Sequence, residues 1–333
     1  MTNRPVIFSI IIPFKSWSSD LEECLNYIKK LTLKEFELIL LPDEETTVPE
    51  EFLDLPIILC PTGQVNPAVK RNLGAEKANG GFFAFIDDDA YPKYDWLDIA
   101  VKVFKERPEV GALGGPAVTP KTDPFWARVS GAVFLSRISG GFPERYIPCP
   151  PSRVVDDWPT VNLLVRRSVF NQAGGFGSMF WPGEDTFFCL KIKNNTSKKI
   201  LYFPELVVWH HRCEQLFKHL KQIGNYGLHR GYFAKVFPET SRKAIYFIPT
   251  LWVVFVLIGL YLSTLSHSIQ ILYLGGWACY LTAIAFSWKE ICRYENTLVA
   301  FCAIPYVLLT HLWYGVKFAQ GLATKNLKSK LGR

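Results

Sequence analysis

From Ala244 onward the chain carries three long stretches without a charged side chain: AIYFIPTLWVVFVLIGLYLSTLS (244–266), SIQILYLGGWACYLTAIAFSW (268–288) and TLVAFCAIPYVLLTHLWYGV (297–316). About 20 consecutive apolar residues span the hydrocarbon core of a bilayer. Three such runs in succession predict a membrane-embedded C-terminal part, and Trp252, Trp277, Trp288 and Trp313 supply the aromatic residues favoured at membrane interfaces.

The charge distribution agrees. The formal net charge is +7 over 333 residues. Residues 214–243 hold six Lys/Arg against two acids, and residues 317–333 hold five against none. A basic surplus on both flanks of the apolar region suits an anionic membrane surface and argues against a nucleic-acid partner. Basic flanks favour the cytoplasmic side, and three full crossings would separate them. The expected topology is therefore two crossings, with the third segment, which holds Pro305 and His311, re-entrant or interfacial.

The first 210 residues or so alternate strand and helix patterns. VIFSIIIPF is a continuous β-branched run of the kind buried on both faces of a sheet. LEECLNYIKKL has helical spacing; FELILLPD and PIILCP are two further strands; NPAVKRNLGAEKA is a helix with Pro67 in its first turn. GFFAFIDDDA, YDWLDIAVKVFKE and VGALGGPAV continue as strand, helix and strand. Residues 120–155 are rich in Gly, Pro and Arg and read as a long loop or insertion. TVNLLVRRSVF is a strand, AGGFGSMFWPGEDTFFCLKI a turn and helix, and KILYFPELVVWHH one closing strand. The rhythm predicts an α/β fold with a mostly parallel sheet, which binds ligands beyond the carboxyl ends of its strands. The eight cysteines show no CxxC pair or metal-ligand spacing and are expected to be reduced structural thiols. The apolar run in MTNRPVIFSIIIPF is short and lacks a cleavage signal, so the soluble part is expected in the cytoplasm.

The chemistry concentrates at one such strand end. Asp87, Asp88 and Asp89 follow FFAFI directly, and three adjacent carboxylates repel unless a positive partner sits among them. Hard divalent cations prefer carboxylate oxygens. Alternation along an extended strand puts Asp87 and Asp89 on one side and Asp88 on the other. Asp43 ends a neighbouring strand, and Lys70 and Arg71 lie on the preceding helix, where they could face an anionic ligand. Glu184 and Asp185 open a helix, where acids also offset the helix dipole. His210 and His211 end the last strand, and a neutral imidazole is a common metal ligand as well as a structural residue.

In that order, IIPFK, ELILLPD, AVKRNLGAEKANGGFFAFIDDDAYPKYDWL, NLLVRRSVFNQAGGF and GEDTFFCLKI resemble the family 2 glycosyltransferases of the GT-A fold, over residues 6–235. The segment HHRCEQLFKHLKQIGNYGLHRG and the trailing apolar runs resemble the membrane-attached, non-processive branch of succinoglycan and exopolysaccharide type. The resemblance implies a GT-A domain over 1–213, a basic amphipathic segment over 214–243, transmembrane or re-entrant helices over 244–320 and a basic tail over 321–333. It implies an inverting transfer of a sugar from a nucleotide-diphosphate donor to a membrane-associated, lipid-linked acceptor, at the cytoplasmic face of an inner membrane, in cell-surface polysaccharide or glycolipid assembly.

The roles it implies are these. Pro13, Asp43, Arg71, Asp87 and Asp88 bind the nucleotide sugar; Asp87, Asp89 and His210 or His211 hold Mg²⁺ or Mn²⁺; Asp185 is the catalytic base with Glu184 beside it; Asn162, Arg166 and Trp181 lie on the acceptor side. Two departures stand out. Lys15 and Ser16 occupy the place of the usual acid after the first strand, and DEET replaces DDGS after the second. The QxxRW element of processive synthases is absent, Gln222 and Arg230 being spaced differently. A polyprenyl-phosphate monoglycosyltransferase, a nucleotidyltransferase of related fold and a non-catalytic membrane component remain as alternatives. The nucleotidyltransferase would bring a Gly-rich loop that PFKSWSSD lacks.

Overall fold

The structure is a computed structural model that describes residues 6–177 and 179–327. In chain order its elements are β1 (Phe8–Pro13), α1 (Ser19–Ile28), β2 (Phe36–Leu41), β3 (Ile57–Leu59), α2 (Pro67–Lys77), β4 (Phe82–Phe85), β5 (Ala90–Pro92), α3 (Trp96–Glu106), β6 (Val110–Gly114) and β7 (Ala117–Val118). There follow α4 (Phe125–Ala132), α5 (Arg137–Gly140), β8 (Arg153–Val155), β9 (Leu163–Arg166), α6 (Arg167–Ala173), α7 (Glu184–Asn195), β10 (Lys199–Tyr202) and β11 (Val208–His210). The C-terminal part is helical: α8 (Leu216–Val236), α9 (Pro238–Ser241), α10 (Ala244–Ser263), α11 (His267–Ile291) and α12 (Thr297–Ala323).

The chain divides into two units. The first runs to Val118 and resumes over Ile147–His211; the second comprises Thr119–Tyr146 and Arg212–Leu327.

In the first unit an eight-stranded sheet has the order β3-β2-β1-β4-β9-β6-β10-β8. It is mostly parallel: β9 and β8 run against the other strands. All six residues of β1 are buried because helices cover both faces. Ile10 and Ile12 join Leu38, Leu40, Leu21, Leu25, Trp96 and Phe104 in one layer. Ile11 joins Ile39, Phe83, Phe85, Phe170 and Phe188 in the other. Fully burying one such side chain contributes about 1.5–3 kcal/mol.

At the amino edge of the sheet, buried Glu37 accepts hydrogen bonds from Ser9 Oγ (2.5 Å) and from Asn79 N (2.5 Å) and Nδ2 (3.0 Å). Burial pushes its carboxyl up, but these donors outweigh that and hold it below the usual value. The long KILYFPELVVWHH segment is two strands. β10 completes the main sheet, whereas β11 leaves it for a small sheet of order β5-β11-β7. The intervening YFPEL turn, which contains Pro204, breaks the run.

In the second unit, residues 120–155 are less of a loop than their composition suggests, because α4 and α5 form within them. α8 packs along α12 in the same chain direction, with Gly224, Gly227 and Gly231 set against Trp313, Tyr314 and Phe318 respectively. A Cβ on Gly231 would lie 2.0 Å from the Phe318 carbonyl oxygen, so the approach of the two backbones requires glycine. α10 and α11 form an antiparallel pair through Trp252 and Tyr280 (ring centroids 3.8 Å apart) and through Phe255 and Tyr273 (5.1 Å).

α10, α11 and α12 are each long and apolar enough to cross a membrane. They differ in burial: 6% of the most apolar stretch of α10 and of α11 is buried, against 39% in α12. Leu257, Leu260, Leu272, Leu274 and Leu281 are all more than half exposed, a surface suited to lipid.

Candidate active site

Because β1 pairs in parallel with both β2 and β4, their carboxyl ends lie side by side. Pro13 ends β1, buried opposite Leu41. β4 stops at Phe85, and Asp87–Asp89 form the turn that follows, closed by Ala90 N–H donating to Asp87 O (3.2 Å). β5 then pairs antiparallel with β11, with Ala90 opposite His210. That register brings the last strand of the unit onto the aspartates. His210 Nε2 lies 3.1 Å from Asp89 Oδ1. Asp87, Asp89 and His210 each present a ligand atom within 4.8 Å of the others, a group able to hold a divalent cation among the described residues.

His211 is a correction to the expected ligand set. Neighbouring residues at a strand end face opposite ways. His211 Nε2 accordingly meets Glu23 Oε2 of α1 at 3.0 Å, and its ring sits against Tyr91. Tyr91 stacks between Tyr27 and Trp209, an aromatic backing that joins α1 to the small sheet. Asp88 is not one of the three residues of that group. Burial and then the charges of Asp89 and Asp87 push its carboxyl up to about 7. Burial, and then the charges of Asp88, Asp89, Glu23 and Asp87, push the Cys24 thiol of α1 well above its usual value.

Arg71 organises the other side. Its Nη2 donates to Asp87 Oδ1 (2.8 Å) and its Nη1 to Glu184 Oε1 (2.9 Å), and the guanidinium is almost fully buried. Burial opposes its charge, but the two carboxylates more than compensate and raise its proton affinity. α2 places Arg71 there because Asn66 caps its first turn, accepting from Val69 N–H (3.0 Å), with Pro67 next.

Gly183, at φ 117°, turns the chain into α7 in a conformation that disfavours other residues. The two acids that follow then part company. Glu184 is buried and points inward to Arg71; Asp185 is only half-buried. Burial pushes the Glu184 carboxyl up to about 7, with Asp185 adding and Arg71 opposing. Asp185 Oδ1 accepts its neighbour's Thr186 N–H (2.6 Å), and Thr186 Oγ1 donates to Asp157 Oδ2 (3.0 Å). Asp157 is a neighbour that sequence spacing gave no reason to suspect. Trp181 lies in the turn before α7, partly exposed.

Three further expectations change. Lys70 stands at the ligand edge but is engaged by the protein itself: its Nζ is buried on Asp43 Oδ1 (2.7 Å), Phe14 O (2.5 Å) and Leu41 O (2.9 Å), tying the carboxyl ends of β1 and β2. Burial, partly offset by Asp88, lowers its pKa to about 8. Asp43 therefore stands at the expected strand end with one oxygen already engaged. Asn162, expected on the acceptor side, is fully buried. It accepts from Trp96 Nε1 (2.9 Å) and donates to Leu206 O (2.6 Å), which makes it a packing residue. Arg166 lies at the opposite edge of the sheet, paired with Phe82, because β9 runs antiparallel to β4. It is clamped between the Phe82 and Phe104 rings and donates to Val110 O (2.8 Å).

Comparison with known proteins gives this edge its context. A curated relative, the glucosyl-dolichyl phosphate glucuronosyltransferase of Haloferax volcanii, is 24% identical over 219 residues, 59% of this chain and 64% of that protein. The pre-mycofactocin glycosyltransferase of Mycobacterium tuberculosis is 24% identical over 226 residues, 66% of this chain and 46% of that one. The chain thus spans between about half and two-thirds of these relatives' own length. The mannosyltransferase PcManGT of Pyrobaculum calidifontis, solved with GDP-Man and Mn²⁺, shares the fold with a TM-score of 0.55 at 17% identity, over 97% of this chain and 88% of that one. S. aureus TarS 1-349, solved with UDP-GlcNAc, does so with a TM-score of 0.50 at 14% identity, over 95% and 92%. Residues 9–173 match the family described as glycosyl transferase family 2, so the chain carries a family 2 glycosyltransferase domain, of the GT-A fold that the solved structures share.

Proposed function

We propose that this enzyme transfers a sugar, with inversion, from a nucleotide-diphosphate sugar to a lipid-linked acceptor held in the membrane. The observation that carries the catalytic part is the division of labour at α7. Glu184 is buried and turned inward onto Arg71, which also holds Asp87, whereas Asp185 beside it is only half-buried. Asp185 takes the proton of the acceptor hydroxyl as it attacks the anomeric carbon; a single displacement needs one such positioned base. Arg71 holds Asp87 and Glu184 in place and sets positive charge beside the donor's diphosphate.

Asp87, Asp89 and His210 fit a hard divalent cation, and the imidazole suits Mn²⁺ better than Mg²⁺. When bound there, such an ion stabilises the negative charge of the departing nucleoside diphosphate. The Mn²⁺ in the solved mannosyltransferase supports this reading.

The lipid-linked acceptor rests on the apolar helices and on the Haloferax volcanii relative, which is named for glucosyl-dolichyl phosphate. In our reading α10 and α11 cross the membrane and α12 lies along the side where both basic segments sit. Five residues separate α11 from α12, and Phe318 of α12 packs on Phe247 near the start of α10 (4.8 Å). In an antiparallel pair those two points belong to the same end, so a helix joining them does not traverse the bilayer. The catalytic unit is then cytoplasmic, at an inner membrane, working in polysaccharide or glycolipid assembly.

The test is Asp185→Asn, which keeps the shape of the side chain and removes the base. Expected is a loss of transfer of 10²-fold or more, with Mn²⁺-dependent binding of UDP or GDP retained in a thermal-shift assay. Near-normal turnover would remove Asp185 from the mechanism.

A further inference from the structure

We propose that Lys70 is a positioning residue for the nucleoside half of the donor, a role that rests on the nucleotide-diphosphate donor proposed above. Lys70 is 2% exposed. An ammonium carries three N–H donors, and three protein acceptors take them: Asp43 Oδ1 (2.7 Å), Phe14 O (2.5 Å) and Leu41 O (2.9 Å). Lys70 therefore acts on a ligand through other residues. The ones it holds begin two loops, after β1 and after β2, and those loops are laced to each other. Phe14 N–H donates to Leu41 O (3.1 Å) and Asp43 N–H to Lys15 O (3.1 Å). The loop after β3 hangs on the same residues: Thr62 N–H donates to Pro42 O (3.0 Å) and Gly63 N–H to Asp43 O (2.9 Å). One buried charge thus sits under three loops at the ligand edge.

The place of these loops selects the nucleoside. The sheet order at this edge is β3-β2-β1-β4, and the candidate cation group follows β4. Adjacent strands lie about 4.8 Å apart, which sets the end of β2 about 10 Å from that of β4. That is the reach from a diphosphate to its base. A diphosphate held at Asp87, Asp89 and His210 would set its nucleoside over the ends of β1 and β2. Lys15, Ser16, Glu44, Gly63 and Gln64 are exposed in these loops, whereas Lys70 and Asp43 are buried. A buried ion pair is a weak source of stability, since apolar side chains of similar volume often do as well or better; its best-attested use is to fix one arrangement. The charged groups that face Lys70 are Asp43 at the end of β2 and Asp88 after β4. Burial lowers the Lys70 pKa to about 8, with Asp88 opposing. The tie between the loops should therefore loosen as pH rises through that value.

The experiment is calorimetry on the full chain in detergent micelles. UDP, GDP, ADP and CDP are titrated with Mn²⁺ present, and inorganic pyrophosphate separately. Lys70→Met keeps the length of the side chain and removes its charge. It should weaken the tightest nucleoside diphosphate about tenfold or more. Pyrophosphate affinity should be unchanged, which also shows that the variant is folded. In wild type the ratio of nucleotide to pyrophosphate affinity should fall between about pH 7 and about pH 8.5. In Lys70→Met it should be level. The wild-type profile needs no variant, so it decides the role even if Lys70→Met does not fold. Wild-type nucleotide affinity in the variant, an equal loss of nucleotide and pyrophosphate, or a level wild-type ratio each overturns the role of Lys70. The donor reading fails separately, if wild type binds pyrophosphate but none of the nucleotides.

Discussion

Arg71 is the residue on which the two halves of the active edge depend. It neutralises Asp87, which belongs to the candidate cation group, and Glu184, which adjoins the proposed base, from within a buried pocket. Removing one partner of such a network leaves buried charge uncompensated, at a cost of about 3–5 kcal/mol. Arg71→Met is therefore expected to lower unfolding stability by roughly that amount, measured by denaturant melts in detergent. Adding Glu184→Gln should restore part of the loss, because one of the stranded carboxylates is then gone. Additive losses in that double-mutant cycle would show that the Arg71–Glu184 pair is not coupled. The placing of Arg71 on its helix, of the three aspartates at a strand end and of Asp185 at a helix start was legible in the sequence, since short motifs fix such positions. What the motifs do not carry is direction. His210 and His211 differ only in the face they present, and Arg166 is displaced to the far edge solely because β9 is reversed. Such facts depend on pairing between segments distant in the chain, which a local pattern does not record.

At the scale of elements, α4 shows why residues 120–155 read as a loop. Its eight residues, FWARVSGA, include Gly131, follow Pro124 and have no side-chain cap, so local propensity for a helix is weak. Its stability comes from α8 and α12. His219 of α8 is wholly buried, with Nδ1 2.8 Å from Ser130 Oγ of α4 and Nε2 2.9 Å from Thr310 Oγ1 of α12. The rings of Phe134 and Tyr306 enclose it. Arg128 of α4 adds an ion pair to buried Glu295 (2.5 Å). Burial alone lowers the His219 pKa from 6.5 to about 4. The folded state thus binds the proton less readily than the unfolded chain. The contribution of His219 to stability is complete above about pH 6.5 and is lost as pH falls towards about 4, on the order of 3 kcal/mol in all. Replacing it by Gln should flatten the dependence of melting temperature on pH in that window relative to wild type. Parallel curves from pH 6.5 to 4 would refute a neutral, buried His219 as the pin between α4, α8 and α12.

For the whole molecule, composition announced the three long apolar helices, because apolar length is a local property. The share of Thr119–Tyr146 in the second unit was not visible, since that segment is interrupted by the strands of Ile147–His211 before its helical partners begin. The number of crossings lies between these cases. The charge of the flanks argued for an even number, and the joining of α12 to the same end of the α10–α11 pair argues for two. Single cysteines in a background lacking the eight native ones separate the alternatives. Ser266 lies between α10 and α11, Arg293 between α11 and α12, and Lys325 beyond α12, and all three positions are exposed. With a membrane-impermeant maleimide on sealed vesicles, Arg293→Cys and Lys325→Cys should label from the same side and Ser266→Cys only from the other. Three crossings would instead place Lys325→Cys with Ser266→Cys.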